Sequence, residues 1–266
     1  MKAADFDYAA PRTLDDALAL LARDDGAARP VAGSQSLGPM LNLRLAQPGL
    51  LVDITRIPEL RDIAVDGDAL VVGACVTHAR LEDGGYPDPT GGVPARVAAG
   101  IAYRAVRNRG TIGGSLAHAD PAADWVAALT ALGADVIVAG PHGRRSVAMA
   151  DFIVGAFETD LRPGEIIAAV RIPALSERAR WGYVKVCRKT GEFSHATGAV
   201  LADPGRGVAR CVVAAASGRP VVLDDPRLLA DAAARDAAVA ARLGGDPAAI
   251  RPHLVALRRA VAQVTP

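Results

Sequence analysis

The stretch Asn108–Asp124, NRGTIGGSLAHADPAAD, decides how the rest of the chain is read. It holds three glycines, no Lys placed for a nucleotide triphosphate, and an Asp-Pro pair that looks like the opening of a helix. Gly110, Gly113 and Gly114 lack a Cβ, so they can take backbone angles closed to other residues and let main-chain N–H groups come close to an anion. Asp120 reads as an N-cap, with Pro121 at the first helical position. The pattern is neither G-x-G-x-x-G nor G-x-x-x-x-G-K-[ST], so neither common phosphate-loop fingerprint applies.

A second segment of the same character, PVAGSQSLGPMLNLR at Pro30–Arg44, lies upstream. Gly33 permits a tight turn, and Ser34, Gln35 and Ser36 set small polar side chains beside exposed N–H groups. Either segment alone could be an ordinary strand-to-helix turn. Together they suggest a cradle for a dinucleotide diphosphate.

The two segments also carry a family resemblance. Ala32–Leu37 followed by Pro39, Met40 and Arg44, then Thr111–Asp124, TDLRPGEII at Thr159–Ile167, Ile172-Pro173, and YVKVCRKTGEF at Tyr183–Phe193 resemble the FAD-binding medium subunit of molybdenum hydroxylases. That family includes bacterial carbon monoxide dehydrogenase and xanthine dehydrogenase. The blocks fall in the family's order and span nearly the whole chain.

Composition agrees with this without requiring it. The chain has 266 residues, 51% of them apolar and 22% charged, with net charge +1. That is long enough for two or three compact units. Balanced charge and no basic block interleaved with aromatics argue against nucleic acid as a partner. No apolar run approaches the ~20 residues of a membrane span, and acidic residues stand where a signal peptide would be apolar. The chain reads as cytoplasmic. Cys75, Cys187 and Cys211 are isolated, forming neither a disulfide framework nor an iron–sulfur ligand set, and read as buried, inert thiols. His78, His118, His142, His195 and His253 are equally scattered and suggest no metal site.

Periodicity predicts a helix from Thr13, with Leu14, Ala17, Leu18 and Leu21 on one face, and strands at 28–32 and 50–54. Ile63–Val72 forms a hairpin turning at Asp66-Gly67. A second hairpin joins 135–139 to 145–147. Helices follow at 77–82, 92–100 and 121–132, strands at 165–172, 182–188, 196–202 and 208–216, and an Ala-rich helical end from Pro226, broken at Gly244-Gly245 and Pro247. The class is α+β: two small α/β lobes and a C-terminal sheet backed by helices.

The resemblance adds the particular architecture. It implies an FAD-binding domain of the vanillyl-alcohol oxidase type over residues 1–175, with lobes at about 1–55 and 56–175, and a C-terminal flavoprotein domain of the carbon monoxide dehydrogenase type over 176–266. Position by position, it implies that FAD is held by Val31, Ala32, Gly33, Ser34, Gln35, Ser36 and Leu37 and by Thr111, Ile112, Gly113, Gly114 and Ser115 as two diphosphate loops. The family often has Gly at Ser34 and Asn at Ser115. Asp124 matches a carboxylate bonded to a cofactor hydroxyl, although an acid at a helix start is favoured by the dipole without any ligand. Ile101 matches an adenine contact and Ile167 a main-chain contact near the flavin; both also suit a plain core. Lys185 matches a lysine near the cofactor, or could face solvent. Phe193 matches the aromatic laid against the isoalloxazine. The pair His118 and Asp120 is not spaced for acid–base work.

As a family member the chain would be an oxidoreductase subunit with FAD as its own cofactor and no catalytic side chain or metal of its own. A molybdopterin cofactor would sit on a large partner and two [2Fe-2S] clusters on a small one, in a dimer of heterotrimers. Electrons from those clusters would leave through FAD to NAD, a quinone or oxygen. The alternatives are a stand-alone FAD-dependent reductase of related fold, or a non-catalytic interaction protein that has lost the cofactor.

Overall fold

A computed structural model describes residues 2–22, 27–216 and 218–265. The N-terminal part is a parallel sheet of β1 (Asp7–Ala9), β2 (Ala28–Val31) and β3 (Leu50–Asp53) in the order β1-β3-β2. Helix α1 (Leu14–Ala22) links the first two strands and α2 (Leu37–Asn42) the second pair. The Thr13 hydroxyl accepts from the Asp16 N–H at 3.2 Å, as a capping residue should. Leu14, Ala17 and Leu21 are buried on the face that periodicity picks out.

Five antiparallel strands form the second sheet, ordered β4-β5-β10-β6-β7. They are β4 (Ile63–Asp66), β5 (Ala69–Gly73), β6 (Asp135–Gly140), β7 (Gly143–Ala148) and β10 (Ile166–Pro173), with the small pair β8 (Ile153–Gly155) and β9 (Glu158–Thr159) leading into the last. Both expected hairpins are present, and Gly67 takes the positive φ of +59° that the first turn requires. Between β5 and β6 run α3 (His78–Asp83), α4 (Val93–Ala99), α5 (Arg104–Arg107), α6 (Ile112–His118) and α7 (Asp124–Leu132), and α8 (Met149–Phe152) follows β7.

Two sequence expectations change here. The helix expected at Pro121 begins at Asp124, capped by Ala123, because Asp120 closes a separate turn: its Oδ1 accepts from the Ala122 N–H at 2.9 Å and its carbonyl from the Ala123 N–H. The glycine segment expected as a loop is itself helical. Thr111 caps α6, its hydroxyl accepting from the Gly114 N–H at 3.1 Å, so Gly113 and Gly114 lie in the first helical turn.

The C-terminal sheet is antiparallel, β11 (Arg180–Val186), β12 (Ala196–Asp203), β13 (Val208–Ala214) and β14 (Val221–Leu223) in sequence order. Helices α9 (Arg227–Ala230), α10 (Ala232–Leu243) and α11 (Pro247–Ala262) follow. One face of the sheet takes α11 at close range: a Cβ on Gly182 would come within 2.1 Å of the Ala260 carbonyl, and one on Gly198 within 2.7 Å of Ala256. The other face packs on α7, where Ala127 and Ala131 meet Ala199, Val212 and Ala214. Trp125, Val126, Ala128, Leu129 and Leu132 of the same helix belong to the core under the five-stranded sheet. All nine residues of α7 are buried, seven of them apolar, with Asp124 and Thr130 as the polar exceptions. Cys75 and Cys211 are buried, their thiols pushed up to about 12 and about 11 by burial; Cys187, expected to be buried, is only partly so. Among the described residues, no helix is long and apolar enough to cross a membrane.

Candidate functional site

The turn leaving β2 and the turn entering α6 meet. A Cβ on Gly33 would lie 1.9 Å from the Arg109 carbonyl and 2.9 Å from the Gly110 Cα, so the two backbones touch only because Gly33 has no side chain. A Cβ on Gly110 would come within 2.9 Å of the His78 ring, and one on Gly113 within 2.5 Å of the Ala74 Cβ. None of these three glycines has a positive φ. Their role is close approach, not the special backbone angles expected from sequence. The residue that does take a left-handed conformation is Ser34, at φ +59°, where the family often has glycine.

Beside this contact opens a cleft of about 650 Å³, in the range of cofactor sites. Of the residues expected to hold FAD, Ala32, Gly33, Ser34, Gln35, Ser36, Leu37, Ile101, Thr111, Gly113, Gly114, Ser115, Asp124, Ile167 and Phe193 line it. Val31, Ile112 and Lys185 do not. Val31 is buried in a small cluster with Leu41 and Leu51, and Ile112 is wholly inside the main core, so neither side chain faces a ligand.

Main-chain donors differ between the two turns. The amides of Ser34, Gln35, Ser36 and Leu37 have no hydrogen-bond partner among the described residues. In the other turn the supply is spent internally. Ile112 donates to the Val76 carbonyl, Gly113 to Ala74, Gly114 to the Thr111 hydroxyl, and Ser115 to the Thr111 carbonyl. The expectation that both turns offer free N–H groups is therefore corrected: the second becomes helical and brings hydroxyls and bare Cα atoms instead.

Asp124, the first residue of α7, is 7% exposed. Its carboxylate accepts from the Lys185 ammonium at 2.8 and 3.0 Å and from the Tyr183 phenol at 2.7 Å. Lys185 also donates to the Gly100 carbonyl at 3.2 Å. Burial pushes the Asp124 carboxyl above the usual range, with the Lys185 charge the main opposing influence. Burial and the Asp124 charge raise the Tyr183 phenol well above its ordinary value. Lys185 is thus neither solvent-facing nor on the cleft wall: it reaches from β11 to fix Asp124, and Tyr183, which sequence reasoning passed over, assists it.

The far wall comes from the segment between β11 and β12. Gly191, at φ +88°, forms an isolated parallel bridge with Ile101, and a Cβ there would strike the Ala102 carbonyl at 2.3 Å. Arg107 holds the other side of that contact, donating to the Ile101 and Ala102 carbonyls at 2.9 and 3.3 Å. Phe193 follows, lining the cleft with 65% of its surface exposed. The two glutamates on the lining are tied to cations, Glu165 to Arg145 at 2.7 Å and Glu192 to Arg188 at 3.2 Å. His118 and Asp120 also line the cleft; the His118 ring stacks at a tilt on Phe157, with centroids 5.2 Å apart.

Unpartnered amides at one turn, bare Cα atoms at both and a deep lining that is mainly apolar describe a cleft for an elongated phosphate-bearing cofactor. Comparison with known proteins gives the class more narrowly. Residues 4–175 match the model of the FAD binding domain in molybdopterin dehydrogenase. The chain is 40% identical over 196 residues to the carbon monoxide dehydrogenase medium chain of Hydrogenophaga pseudoflava, covering 74% of this chain and 68% of that one. It is 40% identical to the nicotine 6-hydroxylase medium subunit of Paenarthrobacter nicotinovorans, over 73% and 68%. Among solved structures, carbon monoxide dehydrogenase from Hydrogenophaga pseudoflava superposes with a TM-score of 0.90 at 31% identity, covering 99% of this chain and 98% of that one. Quinoline 2-oxidoreductase from Pseudomonas putida 86 gives 0.82 at 31% identity, over 99% of each chain. The chain belongs to the family of FAD-binding medium subunits of molybdenum hydroxylases, and is an oxidoreductase subunit.

Proposed function

We propose that this chain carries FAD as the outgoing electron-transfer centre of a heteromeric molybdenum hydroxylase. FAD supplies redox chemistry that joins one-electron and two-electron carriers; the chain's own residues bind it and shape its surroundings. The free amides at 34–37 receive the diphosphate, with the Thr111 and Ser115 hydroxyls opposite. Asp124, oriented by Lys185 and Tyr183, accepts from a cofactor hydroxyl. Ile101 lies against the adenine, Ile167 beside the flavin through its main chain, and Phe193 over the isoalloxazine. In this reading residues 1–175 form the FAD domain, with lobes at 1–55 and 56–175, and 176–266 form the domain that closes over the ring.

The observation that carries the reading is the junction of Gly33 with Gly110 beside a cleft that Phe193 overhangs. Glu165 is tied to Arg145, whose hydrogen bonds hold its carboxyl below the usual carboxylate range, so it is no ready proton donor, which favours electron relay over a self-contained reductase. Partners would be a large subunit with the molybdopterin cofactor and a small subunit with two [2Fe-2S] clusters, as a cytoplasmic dimer of heterotrimers. The external acceptor would be NAD, a quinone or oxygen. Expression with its neighbouring genes should yield a yellow complex that releases FAD on denaturation, and the separated chain should bind FAD and oxidise no organic substrate. A colourless chain that takes up no flavin overturns the proposal; a chain that oxidises substrate alone favours the reductase.

A further inference from the structure

His78 sits at the start of α3, 5% exposed, and its ring lines the cleft. Its Nδ1 accepts a hydrogen bond from the indole Nε1–H of Trp125 at 3.1 Å, and Trp125 is wholly buried. An indole N–H can only donate. Nδ1 must therefore present its lone pair, and the neutral ring must carry its proton on Nε2. That tautomer follows from the partner's chemistry, with no choice left to hydrogen placement.

The Nε2 atom has no hydrogen-bond partner among the described residues. The Cδ2–Nε2 edge of the ring lies against Gly110, where a Cβ would come within 2.9 and 3.0 Å. Gly110 is the residue whose Cα also meets Gly33, so this edge stands where the two turns converge. The backbone locks the ring there, the His78 N–H donating to the Gly110 carbonyl at 2.9 Å. On this side of the cleft the amides of residues 112–115 are already used. An oriented, unshared donor beside a run of bare Cα atoms suits an anionic oxygen brought close to the backbone.

We propose that His78 is a further cofactor-binding residue, its Nε2–H donating to a diphosphate oxygen of FAD while Trp125 fixes the tautomer from behind. The inference rests on the cleft holding FAD. Burial and the nearby Arg107 charge keep the imidazole neutral, lowering it to about 4, so the single N–H is the donor throughout the neutral pH range.

The test is FAD binding by the flavin-free full chain, followed by flavin fluorescence, with ADP as a displacing ligand that has the diphosphate and lacks the flavin. His78→Leu should weaken FAD by about tenfold or more, as loss of one hydrogen bond to a charged group does, and weaken ADP by a similar factor. His78→Gln, whose amide nitrogen reaches the place of Nε2, should stay within about threefold of the parent. Equal FAD binding by parent and His78→Leu overturns the inference, as does a loss for FAD that ADP does not share. Should the variants fail to fold, ¹⁵N-histidine spectra of the parent decide: the Nε2–H signal of His78 must shift when FAD or ADP is added, and a proton on Nδ1 or an unmoved Nε2–H refutes it. A parent chain that binds no FAD sinks the functional reading itself, so the two failures are distinct.

Discussion

His78 should leave a signature in the stability of the flavin-free chain. Its folded value near 4 lies below the ordinary 6.5, so between those limits the unfolded chain binds a proton that the folded chain refuses, and stability falls as pH falls. From about pH 7 to about pH 4.5 this one group should remove roughly 2–3 kcal/mol. The Asp53 and Asp203 carboxyls, held low by their hydroxyl partners against the effect of burial, also lose their contributions in acid, so only the difference between variants is diagnostic. Urea unfolding at both pH values should show His78→Gln losing less stability than its parent by that margin; parallel losses refute the assignment. The glycines act through contact distance. Gly113→Ala pushes a methyl into Ala74 at 2.5 Å and should cost about 1–3 kcal/mol by overpacking. For a chain of this size that lowers the melting temperature by about 2–4 °C per kcal/mol. The sequence displayed these glycines, but it could not say why they were there: a bare Cα required by close approach and one required by a positive φ look the same in one dimension. Nor could it show His78, whose meaning depends on a tryptophan 47 residues away.

At the level of elements, β11 and α7 are joined through Lys185, Tyr183 and Asp124. Lys185 and Asp124 are 11% and 7% exposed, so removing one partner leaves the other's charge stranded in a poorly solvated place. Lys185→Met should destabilise the flavin-free chain by about 3–5 kcal/mol, whereas the double variant Asp124→Leu with Lys185→Met should recover part of that loss, because an apolar pair can replace a buried ion pair at little cost. A double variant as unstable as the sum of the singles would mean that the pair is not coupled. Strands and hairpins were legible because alternation and Gly turns mark them locally, as at Asp66-Gly67. The start of α7 was not. Asp-Pro at 120–121 carries every local mark of a helix opening, yet the Asp120 side chain closes a two-residue turn and the helix begins three residues after Pro121. Thr111 was the true capping residue, of α6, and two following glycines disguised it, since glycine argues against helix on propensity alone.

Across the whole molecule, the two turns and the final aromatic lie in connections that belong to three different sheets, and only the resemblance, not periodicity, could assemble them. Strand order was invisible locally: β10 is last in sequence within its sheet yet central in space, between β5 and β6. The same holds for α7, whose sequence, apolar but for Asp124 and Thr130, signals burial without naming what covers it. In the structure one side of it belongs to the core beneath the five-stranded sheet and the other, through Ala127 and Ala131, to the C-terminal sheet. Trp181 and Tyr183 of β11 touch both clusters. A helix shared this way couples the two parts energetically, because unfolding 176–266 would expose the Ala127 face and strip Lys185 from Asp124 at once. Calorimetry of the full chain should therefore show one transition with matching calorimetric and van't Hoff enthalpies. A fragment ending at residue 175 should melt well below the intact chain and bind flavin poorly. Two resolved transitions, or a fragment as stable as the whole, would show that α7 does not couple the parts and that the C-terminal sheet is an independent cover.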